Sequence, residues 1–129
     1  MHRSRIGVVL VDHPAESYDR AAAFWAAARG SARTAAPGDP DEPYESLAPI
    51  GGGIMLELQR TGTGTPARVH LDIETDDVAA EIERVLGLGA RVVRHHGDWA
   101  VLEDPGGLPF CVVPVQTGDD FAAHATTWH

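Results

Sequence analysis

The sharpest pattern along the chain is Val69-His70-Leu71-Asp72-Ile73-Glu74, a strict alternation of apolar and polar side chains. Successive strand residues point to opposite faces, so Val69, Leu71 and Ile73 are expected against apolar surface while His70, Asp72 and Glu74 share the other face. Elsewhere the periodicity switches between strand and helix. Ile6 to Val11 is short, apolar and β-branched, which predicts a buried strand broken by Asp12-His13-Pro14. An Ala-rich helix is expected from about Glu16 to Arg29, anchored by Phe24 and Trp25 and closed by Gly30. Residues 31–43 read as a loop or weak edge structure. Tyr44 to Ala48 predicts a short strand and Gly51-Gly52-Gly53 a turn. Ile54 to Gln59 predicts a strand with Ile54, Leu56 and Leu58 on one face. Thr61 to Pro66 has the composition of a linker.

The same order then returns. The strand from Arg68 to Glu74 leads into a helix capped by Thr75 or Asp76, with Val78, Ile82 and Val85 on one face, and Gly89 ends it. Arg91 to Arg94 and Trp99 to Glu103 predict two strands joined by His95-His96-Gly97-Asp98, and Pro109 to Val115 predicts the last. The acids Glu74, Asp76, Asp77, Glu81 and Glu83 read as a helix N-terminus and its solvated face. The stretch from Thr117 reads as a polar, loose tail, with Phe121 and Trp128 available to dock. Each half is thus a strand, a helix and two or three strands. The expected fold is α+β, with two tandem βαβββ modules in one domain over residues 1–116. The modules span about 4–60 and 67–116, and a tail covers 117–129.

Composition narrows the partners. A chain of 129 residues, 43% hydrophobic and 22% charged, suits one ordinary globular domain. Its net charge of −9 argues against nucleic acid or an anionic membrane as partner, since both require basic surface. No apolar run approaches the roughly 20 residues of a membrane span, and Arg3 and Arg5 precede too short an apolar run for a signal peptide. The single cysteine, Cys111, excludes an intrachain disulfide framework and fits a reducing compartment. A soluble cytoplasmic protein is expected.

The candidate chemistry lies on the polar strand positions. His70 suits a metal or a neighbouring hydrogen-bond partner equally. Glu57, on an otherwise apolar strand, requires either a metal or a partner such as Arg5, Arg68 or His70. Asp72 reads as an oxygen ligand or as an acceptor orienting His70. Cys111 reads as a small buried hydrophobe or as a thiolate that would favour zinc. Strand parity places Val9, Val11, Met55, Gln59, Val113 and Val115 inward, giving a mainly apolar cup with few polar points. His95 and His96 read as solvated turn residues, and Trp25 and Trp99 as core.

Four segments together resemble the vicinal oxygen chelate superfamily of glyoxalase I, bleomycin-resistance proteins and extradiol dioxygenases. They are His70-Leu71-Asp72, Leu88-Gly89-Ala90, the run from Trp99 to Gly107, and Phe110-Cys111-Val112-Val113. The likeness is densest over residues 68–115 and looser over 5–60, where Phe24-Trp25 and Met55-Leu56-Glu57-Leu58 carry it; it is nearest to the small glyoxalase-like branch. The resemblance implies two βαβββ modules curled into a cup and a homodimer. The metal-ligand places of metal-using members fall by position on Gly7, Glu57, His70 and Cys111. Gly7 has no side chain to offer, and Cys111 stands where many members have a glutamate.

Three functions are carried forward. The first is a lyase, isomerase or dioxygenase using one divalent ion (zinc, nickel, manganese or iron) on His70, Glu57 and Cys111. In it Glu57 doubles as the catalytic base, and a small organic substrate lies against Val9, Met55, Gln59, Asp72 and Val113. The alternative is a metal-free cup that sequesters an antibiotic-like molecule without catalysis. The third is a scaffold that uses the fold only to dimerise.

Overall fold

The computed structural model describes residues 1–33 and 42–129, so part of the loop expected over 31–43 lies outside the described residues. The chain runs β1 (His2–Pro14), α1 (Tyr18–Ala28), β2 (Tyr44–Ile50), β3 (Ile54–Thr61), β4 (Arg68–Thr75), α2 (Val78–Gly87), β5 (Arg91–His96), β6 (Trp99–Glu103), β7 (Pro109–Pro114), α3 (Asp119–His124) and β8 (Thr126–Trp128). One mixed sheet has the order β2-β3-β1-β4-β7-β6-β5, and β8 adds to β1. It is an α+β fold with a curled, unclosed sheet. The repeat is visible in the pairing. β3 returns parallel to β1, and β7 returns parallel to β4, each after a helical crossover. β1 and β4 pair antiparallel and join the halves.

Two apolar clusters hold the helices on the outer face. α1 buries Tyr18, Ala22 and Ala26, spaced one helical turn apart, against Leu47 and Leu58, with Val11 and Leu56 at the margin. Phe24 and Trp25, the anchors expected from sequence, instead point away from this cluster and pack edge-to-face on each other. Small alanines let α1 lie close to the sheet, which leaves the large aromatics no room beneath it. α2 packs Val78, Ile82 and Val85 as expected, over Ala100, Leu102 and Val112. Its N-cap is Asp77, one residue past the expected pair, and its side chain accepts from the Ala80 N–H at 3.0 Å.

Two further expectations are overturned. Glu74 and Glu81 are fully buried rather than solvated. Glu74 accepts from Arg5 Nε at 3.0 Å, from the backbone N–H groups of Gln116 and Thr117, and from the Thr117 hydroxyl. Glu81 accepts from Arg84 and lies 2.6 Å from His2 Nε2. Both carboxylates are held inward by partners, Glu74 by Arg5 of β1 and Glu81 by Arg84 one turn along its own helix and by His2 of β1, and a buried charge persists only when so paired. The tail is not loose either. It forms α3 and β8, Phe121 is buried, and Trp128 donates from Nε1 to Ser4 Oγ at 2.8 Å beneath the Arg84 guanidinium.

Candidate functional site

The face of the sheet opposite α1 and α2 encloses a cavity of about 890 Å³. Its walls come from alternate residues of the strands: Leu10 and Asp12 of β1, Met55, Glu57 and Gln59 of β3, His70 and Asp72 of β4, and Cys111 and Val113 of β7. Val115 borders it as well. This is the inward parity expected for β3, β4 and β7, and it differs for β1. A register shift between Ile6 and Val8 on β1 moves the inward row onto Val8, Leu10 and Asp12. Val9 and Val11 therefore alternate onto the opposite face, and Val11 packs against the α1 cluster. Val9, expected against a substrate, does not line the cavity.

The bulge also relocates the first-module ligand place. Leu10 pairs with Glu57 and with His70, while Val8 pairs with Asp72, and Asp72 pairs with Cys111. By this internal symmetry Val8, not Gly7, is the counterpart of His70, and Leu10 is the counterpart of Asp72. Neither offers a donor. Gly7 has another role: a Cβ there would stand 2.6 Å from Cγ of Glu74, so the buried carboxylate occupies the space a side chain would need.

The donors of the second module converge. His70 Nε2 lies 3.1 Å from Cys111 Sγ and 3.3 Å from Asp72 Oδ1. One ligand-capable atom from each of the three lies within 4.8 Å of the others. On the far side of the ring, Nδ1 is 4.0 Å from Oδ2 of Asp12. Burial of the imidazole opposes its cationic form, yet hydrogen bonds to Asp72 and Cys111 and attraction to both outweigh it, raising the ring to about 10. Burial likewise raises the Asp12 carboxyl, against the pull of His70 and Arg68.

Glu57 stands outside this cluster, two strands from β4 along the same row, with β1 between. It accepts from the Ser46 hydroxyl at 3.3 Å, and neither Arg5, Arg68 nor His70 is its hydrogen-bond partner. Burial pushes its carboxyl up; the Ser46 bond opposes this and the negative charge of Asp72 adds to it. Gln59 donates from Nε2 to the Tyr44 hydroxyl at 3.2 Å on the adjoining strand. Trp99 lines the cavity and stacks on His96, with ring centroids 4.4 Å apart, instead of joining a core.

Sequence reasoning missed Asp12, Leu10 and Tyr44 as wall residues. Asp12-His13-Pro14 predicts a break, but β1 runs through to Pro14, at a strand end where proline's missing N–H is tolerated. The signal that was available is the even spacing of Leu10 and Asp12 past a mid-strand glycine.

His70, Asp72 and Cys111 offer an imidazole nitrogen, a carboxylate oxygen and a sulfur, a set suited to a divalent ion of the zinc class. Asp12 adds an observation in favour of a bound group: its Oδ1 is buried without a hydrogen-bond partner among the described residues.

The profile of a family described as glyoxalase-like domain matches residues 8–113. Curated proteins give no match to the chain. Several solved structures share the fold. A methylmalonyl-CoA epimerase in complex with methylmalonyl-CoA and NH4+ is 17% identical with a TM-score of 0.56, over 87% of this chain and 94% of the other. The Mn(II)-bound glyoxalase from Novosphingobium aromaticivorans is 19% identical with a TM-score of 0.56, over 86% of this chain and 40% of that one. The 2,2',3-trihydroxybiphenyl 1,2-dioxygenase from dibenzofuran-degrading Sphingomonas wittichii strain RW1 is 14% identical with a TM-score of 0.59, over 88% and 41%. This chain thus spans about two fifths of the last two.

Proposed function

The chain belongs to the glyoxalase-like domain family, and from that premise we propose that its cup binds a small organic molecule beside one divalent ion held by His70, Asp72 and Cys111. The reaction class is a lyase or isomerase step on a carbon next to a carbonyl. The observation that carries this reading is the convergence of three ligand-type atoms within 4.8 Å in the wall of the cavity. Three protein donors leave coordination positions open, the pattern of catalytic rather than structural sites. When bound, such an ion supplies Lewis-acid polarisation of a substrate oxygen. Asp72 replaces Glu57 in the ligand set expected from sequence, because Asp72 and Cys111 are register partners on adjacent strands.

The remaining roles fall to the chain's own side chains. Glu57, held by Ser46 and raised by burial, is the proton acceptor, since a carboxyl brought nearer to neutrality transfers protons more effectively. Met55, Leu10 and Val113 exclude water from that proton transfer, and the Gln59–Tyr44 pair presents polar groups to orient the substrate. Exposed apolar side chains such as Ile6 and Val69, together with the unclosed sheet, support a homodimer. No helix among the described residues is long and apolar enough to cross a membrane.

A metal-free binding cup is the second reading. It is favoured by the apolar Val8 and Leu10, which leave the first module without a donor at the places symmetric to His70 and Asp72.

Elemental analysis of untagged protein, followed by titration with zinc, nickel, manganese and iron(II), separates the two. The metal reading expects about one equivalent of ion, lost in His70→Ala and in Cys111→Ala. It also expects Glu57→Gln to retain the ion while turnover of an α-oxoaldehyde falls about 10²–10⁴-fold. A catechol screened in parallel tests the dioxygenase class. Absence of binding up to millimolar ion sinks the metal reading in favour of the metal-free cup.

A further inference from the structure

Asp12 is 5% exposed and borders the cavity, yet its Oδ1 meets no hydrogen-bond donor among the described residues. Leaving a buried acceptor unpaired is costly, so an orphaned carboxylate oxygen marks a place where a partner belongs. The other oxygen, Oδ2, is the one that faces His70, and no hydrogen bond joins the carboxylate to the ring, so the carboxylate has acceptor capacity to spare beside it. Leu10 pairs with His70 and Asp12 pairs with Arg68, so Asp12 stands one same-face step along β1 from the His70 row. Its Oδ2 lies 4.0 Å from Nδ1 of His70, while Nε2 on the opposite side of the ring faces Cys111 and Asp72. The imidazole is bracketed, with two potential co-ligands at one nitrogen and the Asp12 carboxylate at the other.

These two sides are chemically unequal. A neutral imidazole that ligates through Nε2 carries its proton on Nδ1, and a carboxylate facing that N–H fixes both the tautomer and the ring's orientation. Ligation through Nδ1 would draw an ion towards Asp12 and away from Cys111 and Asp72, dispersing the donor set. We propose that Asp12 is the positioning residue of the metal site, accepting the Nδ1–H of His70 and committing the ring to ligation through Nε2. This inference rests on the metal-binding reading above and adds a residue outside the ligand set.

The test measures zinc affinity by chelator competition for the wild type, Asp12→Asn, Asp12→Glu and Asp98→Asn. Asp98 also lines the cavity and serves as the control for loss of one negative charge. It is combined with cobalt(II) spectra and with ¹⁵N NMR of the histidine rings in the zinc-loaded protein. Asp12→Asn is expected to weaken zinc binding about 10–100-fold, the usual effect of removing an outer partner of a ligating histidine. The sulfur-to-cobalt charge-transfer band persists in that variant, because Cys111 still ligates. The His70 ring signals move away from the Nδ1-protonated form, and Asp12→Glu recovers part of the affinity. Equal weakening in Asp98→Asn would show that only cavity charge matters and overturn the role of Asp12. So would an Asp12→Asn affinity within about threefold of wild type, with the metal reading left standing. Wild-type protein that binds neither zinc nor cobalt overturns the metal reading itself, and this inference with it.

Discussion

Replacing Gly7 by alanine adds one methyl where the fully buried Glu74 side chain passes β1. The added Cβ would stand 2.6 Å from Cγ and 2.8 Å from Oε1 of Glu74, well inside van der Waals contact. The backbone does not forbid alanine, since Gly7 is not among the glycines with positive φ. On conformational grounds alone the substitution would stabilise the protein by about 0.4–1 kcal/mol. Glu74, however, has nowhere to go. It accepts from Arg5 Nε at 3.0 Å, from the N–H groups of Gln116 and Thr117 at 2.9 and 3.1 Å, and from the Thr117 hydroxyl. Displacing it leaves the buried Arg5 guanidinium without its carboxylate and two backbone donors unsatisfied, and breaking a buried pair costs about 3–5 kcal/mol. That is a large share of a typical stability of about 5–15 kcal/mol. Urea denaturation at 25 °C should therefore show Gly7→Ala destabilised by about 3–5 kcal/mol. In a Glu74→Ala background the methyl has room, and the same substitution should be neutral or gain about 0.4–1 kcal/mol. The cycle then gives a coupling energy of about 3–5 kcal/mol. A wild-type cost below about 1 kcal/mol, within the range of ordinary substitutions, would refute the reasoning, as would the same cost in both backgrounds.

Two further perturbations probe the buried acid and the C-terminal strand. Burial alone would raise the Glu81 carboxyl, but hydrogen bonds from Arg84, His2 and Ser4 hold it below the ordinary 4.5. Its folded value lies below its unfolded one, so its contribution is present above about pH 4.5 and is lost as pH falls through the folded value. Urea melts across the acid range should find that loss flattened in Glu81→Gln; an acid limb identical to wild type would contradict the assignment. Trp128→Ala removes the Arg84 guanidinium–ring contact at 3.9 Å and the hydrogen bond to Ser4 at 2.8 Å. Together these are worth about 1–3 kcal/mol, so the melting temperature should fall by about 5–10 °C. Trp128→Phe, which keeps the ring and loses only the donor, should fall between the two, and a melt unchanged by Trp128→Ala would show that β8 is not anchored there.

The parts of the structure legible in the sequence are those governed by local periodicity. Alternation across Val69 to Glu74 placed His70 and Asp72 on one face, and the 3.6-residue spacing of Val78, Ile82 and Val85 placed the inner face of α2. β1 escaped this logic. Ile6 to Val11 is apolar on both faces, so it carries no parity of its own, and the bulge at Gly7 is fixed by Glu74, a residue from another strand. The burial of Glu74 and Glu81 was illegible for a related reason. Their partners, Arg5 and the Gln116 N–H for one and His2 and Arg84 for the other, are mostly distant in sequence, and an acid beside a helix start looks solvated until those partners are placed. Asp72 rather than Glu57 meets His70 and Cys111 because strand register, not spacing along the chain, decides which side chains converge.

The seam between β1 and β4, from Ser4 opposite Thr75 to Asp12 opposite Arg68, has a consequence for synthesis. When residues 1–61 have left the ribosome, β1 can pair with β3 but still shows its other edge bare. An unpaired apolar edge is a template for the wrong partner. The nascent half remains at risk until β4 arrives and covers it. The tight turn that delivers β4 shortens that interval: Thr65 N–H bonds back to Gly62, and the Gly64 N–H is held by Glu16. Selection on Gly62 to Ala67 would then act on how quickly an aggregation-prone edge is hidden, independently of anything the cup binds.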